Sequence, residues 1–561
     1  MLEKIRRWIA LYPAWTLAIV TVGTLLPFLA KPFNIDDPLF IWTAHQIQVH
    51  PANPYGFDVN WYGVAEPIWG VMENPPLAGY YLALTAEILG WSEMALHFAF
   101  LLPAVAVILG THRLARQFCN SPMLAACVTL FTPVFLVSCT TVMCDVLMLA
   151  FWVWAVVFWV EGTGKKDFRK LLISALLISL AALTKYFGAC LIPLLAAYSL
   201  IYKRHFDRRL AFLLVPLLAL CLYQLATRIF YGHGLLTEAV GYAAHAKGFL
   251  GSSGMVAGLT ALTFTGGCLA TAFFFAPLLW RMRTLVGFAL GAIFTAGILF
   301  PTMMAKYGAL QGTARTLVEF QMVFWAAGGL CVLTLAVSDV WERRDATGWL
   351  LALWLLGTFL FAAFFNWTVN ARSILPMIPA AGILLARLME RKFPASVKTV
   401  WPRGAAICLA AGCVLALLVT RSDFLAAIAV RQSAQQVCAK YGRGQSELFF
   451  QGHWGFQYYM DLLGASAFDV KYSKLQPGDH LAVPSNNTSL YAINPELLAL
   501  QENLTVSGPN WLATWNTSAG AGFYAASLGP LPFAFGRIPP ENVTIYLLKP
   551  TAPPKFTASQ L

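Results

Sequence analysis

Long stretches of apolar residues without a single charge restrict this chain more than any other feature. Trp8 to Ala30 and Met255 to Trp280 are two of them. Runs of about 20 apolar residues match a helix crossing a hydrocarbon layer of about 30 Å. A closed β-barrel would show alternating segments of about ten residues instead, and none are visible. Of the 561 residues 58% are hydrophobic and 11% charged, whereas soluble domains carry roughly a quarter charged residues. The expected fold is an α-helical polytopic membrane protein.

The basic residues set the expected topology, because cytoplasmic loops are enriched in Lys and Arg. They cluster at Lys4/Arg6/Arg7, Arg113/Arg116, Lys165/Lys166/Arg169/Lys170, Lys203/Arg204/Arg208/Arg209, Arg281/Arg283, Arg343/Arg344 and Arg387/Arg391/Lys392/Lys398. Placing every cluster in the cytoplasm requires about 13 spans, near 8–30, 91–111, 122–140, 142–160, 170–184, 186–202, 209–230, 255–280, 284–304, 316–338, 347–366, 373–391 and 403–421. Pro75 to Gly90 is then left as a helix lying in or dipping into the outer interface. The first run follows basic residues like a signal peptide, but is long enough to remain as an anchor. The expected division is a membrane domain over 1–421, with its first external loop at 31–90, and an external domain over 422–561. In that tail, turn-forming clusters separate short runs such as His480 to Val483 and Val543 to Leu548, the pattern of a small α/β domain.

The formal charge of +12 is explained by those loops, and no basic, aromatic-interleaved soluble surface suggests nucleic acid. Ten of the eleven cysteines lie outside the polar tail, which holds only Cys438, so neither a disulfide framework nor a CxxC metal site is expected. No tight ligand spacing among His45, His50, His233, His245 and Glu73 points to a metal. No cofactor is expected; a divalent metal is possible without being required.

Ionisable residues near the outer ends of spans are the candidates for chemistry. Asn34-Ile35-Asp36-Asp37-Pro38 follows the first span. One carboxylate can raise its neighbour's pKa and so supply a general base; equally, Asp36 or Asp37 can cap a helix beginning at Pro38. Glu73-Asn74-Pro75-Pro76-Leu77 opens the interfacial helix, and Glu73 is either a site carboxylate or a solvated loop acid. Asp145 lies at the outer end of its span, where an ionisable group faces a cavity or a partner, or simply starts a helix. External cations are scarce: Lys185, Lys247, Lys306, Arg315 and Arg372 can each hold an anion or snorkel to headgroups. Trp61 and Tyr62 can stack on a sugar face or belong to an aromatic belt.

These motifs, in this order, resemble the GT-C superfamily of membrane glycosyltransferases, nearest the aminoarabinose transferase and protein O-mannosyltransferase branches. They are Asp36-Asp37 after span one, Glu73 to Leu77, Asp145 opening span four, Leu-Thr-Lys185 before span six, and Arg372 to Pro376 starting a late span. The similarity covers roughly residues 1–390, and the aminoarabinose branch also carries an external tail domain. The resemblance implies an enzyme that moves a sugar from a polyprenyl-phosphate donor to an acceptor hydroxyl outside the membrane, with inversion. Asp36 would be the base, and Asp37, Glu73 and Asp145 would position base, sugar or acceptor. Lys185, Arg372 and Lys306 would hold the leaving phosphate, and Trp61, Tyr62, Asn74 and His245 would contact sugar or acceptor. Asn74 stands where aminoarabinose transferases usually carry Lys, and Asp37 where relatives often have Glu.

The expected partners are a lipid-linked sugar donor, an envelope glycan, lipid or protein hydroxyl as acceptor, and membrane lipids, for a monomer in the inner membrane with a cytoplasmic amino terminus and a periplasmic tail. Two other classes compete: a transporter or flippase of lipid-linked sugars, and a non-catalytic scaffold. Acids gathered on one face and a large external domain favour transfer, since transport needs access from both sides.

Overall fold

The computed structural model describes residues 8–9, 11–249, 254–306, 312–394, 402–442, 446–492, 494–549 and 556–557. Each expected span coincides with helix. Nine described helices are by themselves long and apolar enough to cross a membrane, ten when the pair Pro122–Leu130 and Pro133–Cys139, bent by 63°, counts as one. The bend falls where Pro133 begins the second piece, a position whose missing N–H helix starts tolerate. The remaining expected spans are shorter: Pro13–Leu25 with its 3-10 extension to Phe28, Phe168–Thr184, and the interrupted stretch from Gly254 to Leu279.

Outer helices turn apolar side chains outward. Leu218, Leu222, Leu225 and Ile229 of Leu214–Tyr231 are exposed, as lipid contact requires. Inside, Cys144–Lys165 buries Trp152 and Trp159. Two helices approach almost to backbone contact: a Cβ on Gly266 would lie 1.8 Å from the Trp325 carbonyl oxygen, and one on Gly329 would lie 2.2 Å from that of Leu262. Small residues allow such approach, and membrane helices use it because water does not drive them together.

Polar groups collect at the two ends of the bundle. Asp145 opens the helix Cys144–Lys165 and Glu161 lies near its close, about 24 Å further along. At the Glu161 end are its ion pairs with Arg113 and Lys170, and buried Arg387 between Asp339 (3.1 Å) and Asp345 (3.6 Å). At the Asp145 end lie the first loop and the tail.

In the first loop, helices Asp37–Val49 and Leu77–Leu89 pack together, and the second leaves Leu84 and Ile88 exposed as an interfacial helix would. The tail contains a five-stranded sheet ordered Ser466–Ala467, Leu448–Phe450, His480–Pro484, Glu541–Leu548, Leu498–Val506. The first three strands run parallel and the last two pairings are antiparallel. Helix Trp454–Leu462 connects the first pair.

The helix that carries the last expected span does not end near residue 421. Arg403–Tyr441 is one helix of 39 residues, about 58 Å long, roughly twice the hydrocarbon thickness. Between Arg421 and Tyr441 the sequence holds neither Pro nor Gly and is rich in Ala, so nothing breaks the helix before Gly442. The tail folds back onto the bundle through Arg431–Glu93 (2.6 Å), a hydrogen bond from the Tyr459 hydroxyl to Glu93 (2.5 Å), and reciprocal bonds between Gln321 and the Phe535 backbone.

Candidate functional site

Where the first loop, the bundle and the tail meet, they enclose a cavity of about 1080 Å³. Ile35, just ahead of the acidic pair, sits at φ 53°. That left-handed conformation is costly for a β-branched residue and is held by its surroundings. Asp37 supplies part of the hold. It is fully buried, and its two oxygens accept the backbone N–H groups of Asn34 (3.0 Å) and Val142 (2.9 Å). Burial pushes its carboxyl up to about 7, against the opposing pull of Lys31 and those two N–H groups.

Asp36 is released to the cavity. It occupies the N-cap position of Asp37–Val49 yet makes no side-chain capping bond; its carboxylate pairs with the Arg372 guanidinium at 2.7 Å. The capping alternative therefore describes neither acid. Arg372 also donates to the Met143 sulfur at 3.0 Å, and its Nε has no protein partner. A largely buried guanidinium with an unspent donor beside a cavity is suited to a bound anion.

Lys185 lines the same cavity and pairs with Asp145 at 2.6 Å. Asp145 is buried behind it and is not part of the lining, so its contact with the site is indirect. Glu73 and Asn74 reach the wall from the stretch before Leu77–Leu89, as do Trp61 and Tyr62 from beyond the strand Asp58–Asn60. Lost solvation, with the charge of Glu238, pushes the Glu73 carboxyl up to about 7. Phe361, Phe364, Phe365 and Trp367 also line the cavity. Phe361–Phe365 is a π-helical turn, a deviation that frequently marks functional sites. The lining thus combines charged groups with aromatic ones.

Two residues from the sequence reading stand elsewhere, and a third cannot be placed among the described side chains. Asp37 is a backbone anchor, for the reason just given. His245 is exposed, with its Nδ1 against the Gly241 carbonyl of its own helix, and is absent from the cavity lining. Lys306 ends the helix Met282–Lys306, and its side chain lies outside the described residues. Among the described residues no cluster of three or more His, Cys, Asp or Glu suits a metal ion.

The tail contributes lining residues that sequence reasoning did not find: His453, Trp454, Thr488 and Tyr524. His453 is buried, with Nδ1 against the Trp61 carbonyl (2.9 Å) and Nε2 against the Thr488 hydroxyl (2.5 Å). Burial holds its pKa down to about 4, so it is neutral near pH 7 and serves as a strut. Tyr524 lies under Arg372, whose guanidinium carbon is 5.8 Å from the ring centre. Its hydroxyl donates to Asp423 at 3.0 Å, and Asp423 in turn is paired with buried Lys31 and accepts from Thr514 (2.7 Å). Backbone bonds from Ala371 N to Phe523 O and from Ala526 N to Val369 O, both 2.8 Å, fasten this segment beside Arg372. No local signal marks these residues in the sequence, because the tail reads there only as alternating strands and turns.

Residues 73–231 match a family model described as dolichyl-phosphate-mannose-protein mannosyltransferase, which bears out the resemblance over that stretch. Among curated proteins none matches the sequence. Solved structures that align with this chain include an oligosaccharyltransferase of Archaeoglobus fulgidus tethered to an acceptor peptide (TM-score 0.48, 12% identity, 82% of this chain and 64% of that one). Another is AglB of the same organism with an inhibitory peptide and a dolichol-phosphate (0.48, 11%, 85% and 70%). A third is ArnT of Cupriavidus metallidurans bound to undecaprenyl phosphate (0.48, 13%, 85% and 93%). The chain thus spans a little under two thirds of the first of these structures.

Proposed function

We propose that this chain is a membrane glycosyltransferase that moves a sugar from a polyprenyl-phosphate donor to an acceptor hydroxyl, with Asp36 as general base. The observation that carries the reading is the Asp36–Arg372 pair at the wall of a cavity that Lys185 and several aromatic side chains also line. The family matched over residues 73–231 is described by a donor of this class.

In the proposed reaction the lipid phosphate lies against Arg372 and Lys185, with its isoprenoid chain along Phe361, Phe364 and Phe365. The acceptor hydroxyl attacks the anomeric carbon from the face opposite the phosphate, giving inversion. Asp36 takes the hydroxyl proton, the anomeric C–O bond breaks, and the lipid phosphate leaves with its electron pair, stabilised by the two cations. Binding of the phosphate draws Arg372 from Asp36 and frees the carboxylate to act as base. Asn74, Trp61 and Tyr62 line the sugar side. Asp37 and Asp145 act through the backbone and through Lys185.

The test is sugar release from radiolabelled polyprenyl-phosphate sugars, with envelope extract as acceptor. Wild-type protein should transfer, and Asp36→Asn should bind donor yet turn over about 10²–10⁴-fold more slowly. Transfer by Asp36→Asn at the wild-type rate would remove Asp36 as base. Absence of donor consumption by folded wild-type protein would favour transport of the lipid-linked sugar.

A further inference from the structure

Five side chains close a circuit around the acidic pair. Lys31 pairs with Asp423, whose two oxygens accept the Tyr524 hydroxyl at 3.0 and 3.1 Å. The Tyr524 ring lies under the Arg372 guanidinium, and Arg372 pairs with Asp36. The circuit thus leaves the first loop at Lys31 and passes through the helix Arg403–Tyr441, the tail and the helix Ala371–Ile374. It returns to the first loop at Asp36, five positions after it left. Lys31 and Asp423 are each 1% exposed and Tyr524 is 4% exposed. Links buried to this extent are not loosened by water, and a charge displaced from them would be stranded.

The contacts of Arg372 differ in what they use. Asp36 takes Nη2 and the Met143 sulfur takes Nη1, while Nε is unbonded. The Tyr524 ring, with its centre 5.8 Å from the guanidinium carbon, uses none of these donors. The face of an aromatic ring attracts a cation through its quadrupole and leaves the N–H groups at the guanidinium edge for oxygen ligands. Such a contact persists while one oxyanion is exchanged for another. The ring is itself pinned. Its hydroxyl is anchored on Asp423, and the bonds from Ala371 N to Phe523 O and from Ala526 N to Val369 O flank both Arg372 and Tyr524.

We propose that Tyr524 is a positioning residue for the donor phosphate: its ring holds the Arg372 guanidinium in place while a phosphate takes over from Asp36. The tail thereby acts on donor binding through Arg372. The proposal rests on the reading of Arg372 as a phosphate ligand, and the experiment separates the two.

Farnesyl phosphate is titrated calorimetrically into the full chain in detergent micelles. Wild-type protein should bind it, and Arg372→Gln should weaken binding by about tenfold or more, which tests the phosphate reading alone. Tyr524→Phe keeps the ring and should stay within about twofold of wild type. Trifluorophenylalanine at the same position has nearly the same volume but a ring face without its negative potential. Its Kd should rise about threefold or more over that of Tyr524→Phe, whereas packing alone would leave the two alike. Should Tyr524→Phe fail to fold, difluorotyrosine at this position keeps the hydroxyl and is compared with wild type instead, with the same rise expected. Equal Kd values for fluorinated and unfluorinated rings, in protein that binds farnesyl phosphate through Arg372, would overturn the positioning role alone. Absence of binding by wild type, or binding unchanged in Arg372→Gln, would overturn the phosphate reading and the positioning role with it.

Discussion

Glu73 holds its proton more tightly in the folded chain than in the unfolded one, since half-burial and Glu238 lift its carboxyl from 4.5 to about 7. The stability tied to that proton is therefore complete below about pH 4.5 and is lost as pH rises through about 7. Glu73→Gln cannot ionise. Thermal unfolding across pH 4.5–7 should show the wild type losing ground to this variant, by on the order of 1 kcal/mol after allowance for solvent screening. Parallel pH curves would mean that Glu73 is not desolvated in this way.

Lys185 and Asp145 make a second residue-level case. Lys185→Met leaves a carboxylate buried without its partner and should cost about 3–5 kcal/mol, much of it recovered in Lys185→Met/Asp145→Leu. Thermal melts of the two single variants and the double close the cycle, and strict additivity would show the two groups to be uncoupled. That Asp145 needed a partner was legible from its depth in an apolar run. The division of labour between Asp36 and Asp37 was not. It depends on the left-handed backbone at Ile35 and on an arginine more than 330 positions away, neither of which a local pattern carries.

At the scale of elements, the close crossing of Gly254–Cys268 and Gly312–Arg343 gives the sharpest expectation. Gly266→Ala places a methyl group against a backbone carbonyl that cannot swing aside, and should destabilise the protein by about 1–3 kcal/mol in a thermal melt. An unchanged melting temperature would mean that the helices part freely. The spans themselves were legible because each apolar run must be about as long as the hydrocarbon is thick. The far end of Arg403–Tyr441 was not, since the rule that locates a span falls silent once the helix leaves the bilayer, while helix propensity continues to act. The strands near His480 and Val543 were legible from their alternation, but not their pairing order.

For the molecule as a whole, the tail is part of the wall of the cavity. Asp423 ties it down from the last long helix by pairing with Lys31 and accepting from Thr514 and Tyr524. Asp423→Ala strands Lys31 in the interior and should cost about 3–5 kcal/mol. It should also loosen the segment around Tyr524, seen as faster cleavage in limited proteolysis of folded protein below its melting temperature. Cleavage at the wild-type rate would show that other contacts hold the tail without it. The sequence announced a separate-looking domain after the last span. It carried no sign of His453, Trp454, Thr488 and Tyr524 facing the first loop, because those contacts exist only once the tail has folded back.

The helix Arg403–Tyr441 also makes the chamber answerable to the lipid around it. Its first half is apolar enough to be held by a bilayer and its second half bears the tail, so a tilt of the helix would act as a lever with its fulcrum in the membrane. A tilt of about 10°, of the kind helices adopt to match a thinner bilayer, would sweep a point 30 Å along the lever through roughly 5 Å. Such a displacement exceeds the length of any hydrogen bond that ties the tail to the bundle. Bilayer thickness thereby becomes a mechanical input to a site that no lipid headgroup needs to touch.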